Sequence, residues 1–115
     1  MRAVREAKKN NQPEKEFKKA VREWMRLTYG KHFFRLAIAG GPYQRTGSPD
    51  EVWSVRGIFV APEFKAPGKE LRPKQSEIVE EILAAGGRAG RVSTWSELEA
   101  LLDGIEPVQK IIGRV

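Results

Sequence analysis

The chain has no cysteine and a single histidine, His32, in 115 residues. The first absence excludes disulfides and thiolate metal sites, and the second excludes a histidine-rich metal centre, so any metal must be held by oxygen. No apolar run approaches the ~18 residues needed to cross a bilayer. The N-terminus, MRAVREAKKNNQPEKE, lacks the apolar stretch of a signal peptide, and we therefore expect a cytoplasmic protein. There are no internal repeats or low-complexity tracts, and the length suits one domain with one modest core.

Basic charge, in contrast, is plentiful. Lys and Arg number 21 against 15 Asp and Glu, a formal net charge of +6. Such an excess suits a polyanionic partner, nucleic acid being the commonest, because each neutralised phosphate releases condensed counterions. Charge alone is equally compatible with a basic protein that has no such partner.

Residues 1–12 carry basic residues and a polar Asn-Asn-Gln with little apolar content, and read as a flexible basic tail ahead of a single domain over 13–115. From Pro13, the spacing of Phe17, Val21, Trp24, Met25 and Thr28 predicts an amphipathic helix stopped at Gly30. HFFRLAIA reads as a strand, GGPYQRTGSPD as a turn-rich loop, and EVWSV and GIFVAPEFK as two strands joined tightly at Arg56 and Gly57. After the loop APGKELRP, a helix opens at Pro73 with Ile78, Val79, Ile82 and Leu83 on one stripe. RAGRV is a further short strand, and Thr94 with Glu97 forms a capping box for a helix reaching about Leu102. EPVQKIIGRV reads equally as one more strand or a partner-binding segment. The order α-β-β-β-α-β-α predicts an α/β or α+β fold, a sheet flanked by helices.

The stretch GIFVAPEFKAPG carries the sharpest chemical signal. Side chains alternate along a strand, so Ile58, Val60, Pro62 and Phe64 share an apolar face while Phe59, Ala61, Glu63 and Lys65 share the other. Glu63 and Lys65 thus emerge together at the strand end. They read either as a same-face ion pair of little energetic value, or as a ligand for a hard divalent cation beside a lysine that orients or activates water. A hairpin turning near Arg56 and Gly57 brings together residues 13 positions apart, here Asp50 and Glu63. Two carboxylates are what Mg²⁺ accepts, since it keeps several waters and takes other oxygens from phosphate. The backbone carbonyl of Phe64 is a further ligand in this reading, and Asp50 otherwise serves as a turn residue after Pro49.

Ser-Pro-Asp50 followed by Glu63-Phe64-Lys65 resembles the PD-(D/E)xK nuclease superfamily. The run GGPYQRTGSPD, the segment KAPGKELRPKQ and the helix ending ILAAGG bring the resemblance closer to its virus-type replication-repair nuclease (VRR-NUC) branch, over about residues 13–103. The resemblance implies a restriction-endonuclease-like core with a mixed sheet, and a Mg²⁺- or Mn²⁺-dependent endonuclease, with Asp50 and Glu63 on the metal and Lys65 serving the water. It further implies structure-selective cutting of branched DNA in the manner of a Holliday-junction resolvase, by a homodimer in a bacterial or phage-infected cell.

Further positions follow from the same resemblance. An early-helix acid that completes the metal shell corresponds to Glu14, with Glu16 a second choice, and both otherwise read as favourable charge near a helix N-terminus. The family glutamine corresponds to Gln75, whose alternative role is to bond first-turn backbone. Gln44 and Arg45 are placed to touch phosphate or the site, and Lys69, Arg72 and Lys74 to hold the DNA backbone. Two departures stand out: Glu51 follows the aspartate where an apolar residue is usual and should point away from the metal, and Pro62 removes one ladder amide just before Glu63. His32 reads as a strand-end residue rather than a general base, and Trp24, Trp53 and Trp95 as core rather than base-stacking groups. The competing functions are a monomeric nicking or flap nuclease, and a basic DNA-binding protein with the fold but no activity.

Overall fold

In the computed structural model, residues 2–42 and 44–107 are described, with side chains from Glu14 onward. The elements are α1 (Arg2–Tyr29), a 3₁₀ turn (Gly30–His32), β1 (Phe33–Ala37), β2 (Glu51–Val55), β3 (Ile58–Phe64), α2 (Pro73–Ala84), β4 (Arg88–Val92) and α3 (Trp95–Leu101). This is the expected order, with the expected sheet flanked by helices. The first helix starts at Arg2 rather than near Pro13. Residues 2–9 are mostly Ala, Arg, Glu and Lys, strong helix formers, and the helix continues past Pro13 although that residue has no amide to bond the preceding turn. The segment from Val108 to the C-terminus lies outside the described residues.

The sheet is mixed, in the order β1-β2-β3-β4, with β1–β2 and β2–β3 antiparallel and β3–β4 parallel. The parallel step is made through α2, as a parallel pair requires a crossover. At the β2–β3 hairpin, Arg56 and Gly57 have φ of 51° and 86°, the positive values a type I′ turn demands at both central positions.

One face of the sheet carries the main core. Val21, Met25 and Tyr29 of α1 pack on Trp53, Val55, Val60 and Val92, and Leu98 and Leu101 of α3 with Leu102 and Ile105 just after it close the layer. The buried stripe on α1 is Phe17, Val21, Met25 and Tyr29, a strict four-residue repeat, so Trp24 falls at its rim, 37% exposed. Trp95 is 42% exposed, whereas Trp53 is core as expected. The Tyr29 hydroxyl donates to the Ile105 carbonyl at 2.9 Å and ties the chain after α3 back to α1. On the opposite face, α2 lays Ile78, Val79 and Ile82 over Ala61 and Ala89; Leu83 turns outward, half exposed. The expected capping box is present in altered form: Thr94 Oγ1 accepts from the Glu97 amide at 3.1 Å, while Glu97 accepts from the amide of Ser93 rather than Thr94. Among the described residues no helix is long and apolar enough to cross a membrane.

Candidate active site

Pro62 decides how β3 divides its neighbours. Amides along a strand point alternately to either side, and the closing pair Val55↔Ile58 turns the even-numbered amides of β3 toward β2. Pro62 is the next such position after Val60 and has no amide to give. The β2–β3 pairing accordingly ends at Trp53↔Val60, while β3 stays paired with β4 as far as Phe64↔Val92. The Lys65 amide extends that attachment, donating to the Val92 carbonyl at 3.2 Å. The proline therefore opens β3 from β2 immediately before Glu63 without releasing it from the sheet.

The pairing stops short of Asp50 and Glu63, which would stand opposite one another if the hairpin register were continued, and the charge of Asp50 reaches Glu63. Asp50 keeps its own tie to β1, its carbonyl accepting from the Ile38 amide at 2.8 Å, and its side chain is exposed. Glu63 is only 7% exposed, and among the described residues it makes no hydrogen bond or ion pair. Its pKa is raised, first by burial and then by the charge of Asp50, against the opposing pull of Lys65, Lys18 and Arg72. Its carboxylate oxygens are not among the side-chain atoms buried without a partner, so they keep contact with solvent.

Glu63 forms part of the wall of a cleft beneath α2, with Gly47, Pro49 and Gln75 among the other lining residues. Gly47 is obligatory there. Its φ is +87°, and a Cβ would lie 2.6 Å from the carbonyl carbon of Lys74, so the glycine-rich loop lies directly on the start of α2. Arg45 reinforces that contact by pairing in bidentate fashion with Glu81 of α2, which engages the guanidinium expected to meet phosphate. Gln44 is half-buried in a turn closed by its amide on the Gly41 carbonyl at 3.0 Å.

Gln75 lines the cleft, and its Oε1 accepts from the Arg72 amide at 2.8 Å at the helix start, which is the backbone-bonding alternative. Glu14 lies 3.8 Å from Lys18 on α1. No group of three or more His, Asp or Glu side chains suited to a metal occurs among the described residues, so Glu14 is not gathered with Asp50 and Glu63. Lys69 and Arg72 are exposed, and Lys74 is exposed with Glu77 at 3.4 Å. His32 is exposed in the 3₁₀ turn, its carbonyl accepting from the Arg56 amide at 2.8 Å as a strand-end residue would.

The chain matches no protein-family model, no curated protein and no solved structure.

The donor set nevertheless fits a small hard cation. Asp50 and Glu63 offer two carboxylates close enough for the charge of one to act on the other, and Mg²⁺ needs only one or two carboxylates when waters and phosphate complete its shell. Mn²⁺ accepts the same oxygen donors.

Two contributors escaped the sequence reading. Lys18 has its ammonium 5.7 Å from the centre of the Phe64 ring and acts on Glu63; in sequence it was one lysine among many on a basic helix face. Arg91 donates to the Lys69 carbonyl at 2.6 Å and to Glu97 at 2.8 Å, bracing the loop after Lys65; only the β3–β4 pairing could reveal it.

Proposed function

We propose that the protein is a Mg²⁺- or Mn²⁺-dependent DNA endonuclease of the VRR-NUC type, with a restriction-endonuclease-like core, acting in the cytoplasm on branched DNA as a homodimer. The observation that carries the reading is Glu63: a nearly buried carboxylate without a hydrogen-bond donor, facing Asp50 and next to Lys65 at an opened strand end.

In this reading Asp50 and Glu63 hold the cation, with the Phe64 carbonyl as a further ligand. When bound, the cation supplies Lewis-acid charge to the phosphoryl oxygens and favours ionisation of water. Lys65 orients the attacking water, takes up its proton, or offsets the charge developing on the phosphate. Gln75 positions water or substrate from the opposite wall. Arg72, Lys69 and Lys74 contact backbone phosphates, which position the duplex without reading its bases. A homodimer suits a four-way junction because each chain cuts one strand and two opposed cuts are required.

Cleavage of four-way junctions, flaps and linear duplex in Mg²⁺ tests this directly. The wild type should cut a branched substrate and stop on chelation. Asp50→Ala should abolish cutting, and Lys65→Ala should slow it by about 10²–10⁴-fold, with DNA binding retained. Unchanged rates in both variants would sink the assignment. The rival reading, a basic DNA-binding protein without activity, draws on the absence of a three-acid group among the described residues, and predicts binding without cutting in the wild type itself. A solution mass measured alongside separates a dimer from a monomeric nicking or flap nuclease.

A further inference from the structure

β1 is an edge of the sheet, with no further strand beside it among the described residues. Its hydrogen-bonding parity fixes which backbone groups it leaves open. The His32 carbonyl accepts from the Arg56 amide and the Ile38 amide donates to the Asp50 carbonyl, each at 2.8 Å. The even-numbered residues of β1 therefore bond to β2, and the odd-numbered ones turn outward. The Phe33 amide is taken by the Gly30 carbonyl. The Phe33 carbonyl and both backbone groups of Arg35 and Ala37 remain on the open side, a template for one more strand.

The two faces of this edge differ. On the α2 side, Phe34 is 62% and Leu36 52% exposed, because α2 covers Ala61 and Ala89 on β3 and β4 and leaves β1 bare. The α1 side is basic. An open groove of about 470 Å³ is lined by Arg26, Gly30, Lys31, Phe33, Phe34 and Arg35. The last three are consecutive, and since side chains alternate along a strand the groove follows the edge itself rather than either face. The Arg35 guanidinium is spent on Glu51 at 2.9 Å. Arg26 and Lys31 are exposed and make no ion pair or side-chain hydrogen bond among the described residues.

These features choose among occupants. A phosphate backbone offers acceptors, which leave the outward carbonyls unmet, and it gains nothing from Phe34 and Leu36. A second copy of β1 would add the same cations to the same groove, and like charges brought together oppose association. An extended polypeptide answers both halves: its backbone supplies donors and acceptors, and its alternate side chains fall on opposite faces. We propose that the outer edge of β1 receives an extended segment of a partner protein in which acidic and apolar residues alternate, the acids toward Arg26 and Lys31 and the apolar side chains on Phe34 and Leu36. β2 separates this edge from the strand of Glu63, and binding there does not depend on DNA cleavage.

The probe is a short end-blocked peptide of alternating Glu and Val carrying a fluorophore, with a Lys-Val peptide as control. Amide hydrogen exchange followed by NMR on the full chain gives the first readout. In the free protein Arg35 and Ala37 should exchange quickly while Phe34 and Leu36, bonded to β2, are protected. Adding the Glu-Val peptide should protect Arg35 and Ala37. By anisotropy the Lys-Val peptide should not bind, and a chain carrying both Arg26→Glu and Lys31→Glu should bind the Glu-Val peptide roughly 3–30-fold more weakly. Protection of Arg35 and Ala37 in the free protein overturns the proposal: the edge then belongs to the chain's own residues, or to a second copy if protection grows with concentration. So does a wild type that fails to bind the Glu-Val peptide, or binds it without protecting those amides. Equal affinity in the charge-reversed chain also overturns it, as does displacement of the peptide by a short DNA duplex, which would give the groove to nucleic acid.

Discussion

Two glutamates are buried among the described residues, twelve positions apart on neighbouring strands, and they are held in opposite ways. Glu51, 3% exposed, faces α1 and accepts from Arg22 at 2.6 Å, from Arg35 at 2.9 Å and from the Trp53 indole at 2.7 Å. Burial pushes its carboxyl up, but the hydrogen bonds from Arg22, Arg35 and Trp53 together outweigh that and hold it below the usual range. Glu63, 7% exposed, faces α2 with no donor, and its carboxyl is raised. Burial is common to both, so burial alone does not mark a functional acid. The mark is burial with the donors withheld, since full satisfaction fixes a structure whereas an open valence is available to a ligand.

The largest test of this contrast is Glu51→Ala. It leaves Arg22 and Arg35 facing an empty pocket, and we expect a loss of about 3 kcal/mol, the low end for a broken buried pair because both guanidiniums retain some solvent. Urea unfolding measures it, and a loss near zero would break the distinction between the two acids. Glu63→Gln should do the reverse. It removes a poorly solvated charge beside Asp50, so stability at pH 7 should hold or rise within roughly 1 kcal/mol while cleavage disappears. A clear drop in melting temperature would mean that Glu63 is structural after all.

The pH dependence sharpens the same comparison, measured in metal-free buffer. Glu51 has a folded pKa below its ordinary value of 4.5. The unfolded chain therefore binds more protons in that window, and the stability from Glu51 is present above pH 4.5 and lost as pH falls through the folded pKa. Glu63 has a folded pKa above 4.5. Its contribution is present below the unfolded pKa and lost as pH rises through the folded value. Subtracting the Glu51→Gln and Glu63→Gln profiles from that of the wild type should give slopes of opposite sign on the two sides of that pH. The smallest effect is expected from Arg45→Ala. Its pair with Glu81 is exposed, and the thermal midpoint should move little.

Much of this arrangement was legible from the chain. The hairpin register could be counted because a two-residue turn at Arg56 and Gly57 leaves one pairing, and alternation then assigned Glu63 to the face away from Val60. Pro62 announced a missing ladder bond, although its direction toward β2 required the observed closing pair. Glu51 was placed on the correct side, but its three donors were invisible, since Arg22 and Arg35 come from α1 and β1 and no local spacing links them. Arg45 was misleading for a related reason: an arginine in a glycine-rich loop looks free until α2 brings Glu81 to it.

Local chemistry thus settled the elements, the hairpin and which residues share a face, because each depends on neighbours within a few positions. Only the tertiary structure decided which charges are satisfied. An ion pair or hydrogen bond across elements depends on where helices land on the sheet, and side chains far apart in sequence meet only there. Arg22 completes Glu51 while nothing completes Glu63, and that difference arises from the packing of α1 and α2 on opposite faces of one sheet.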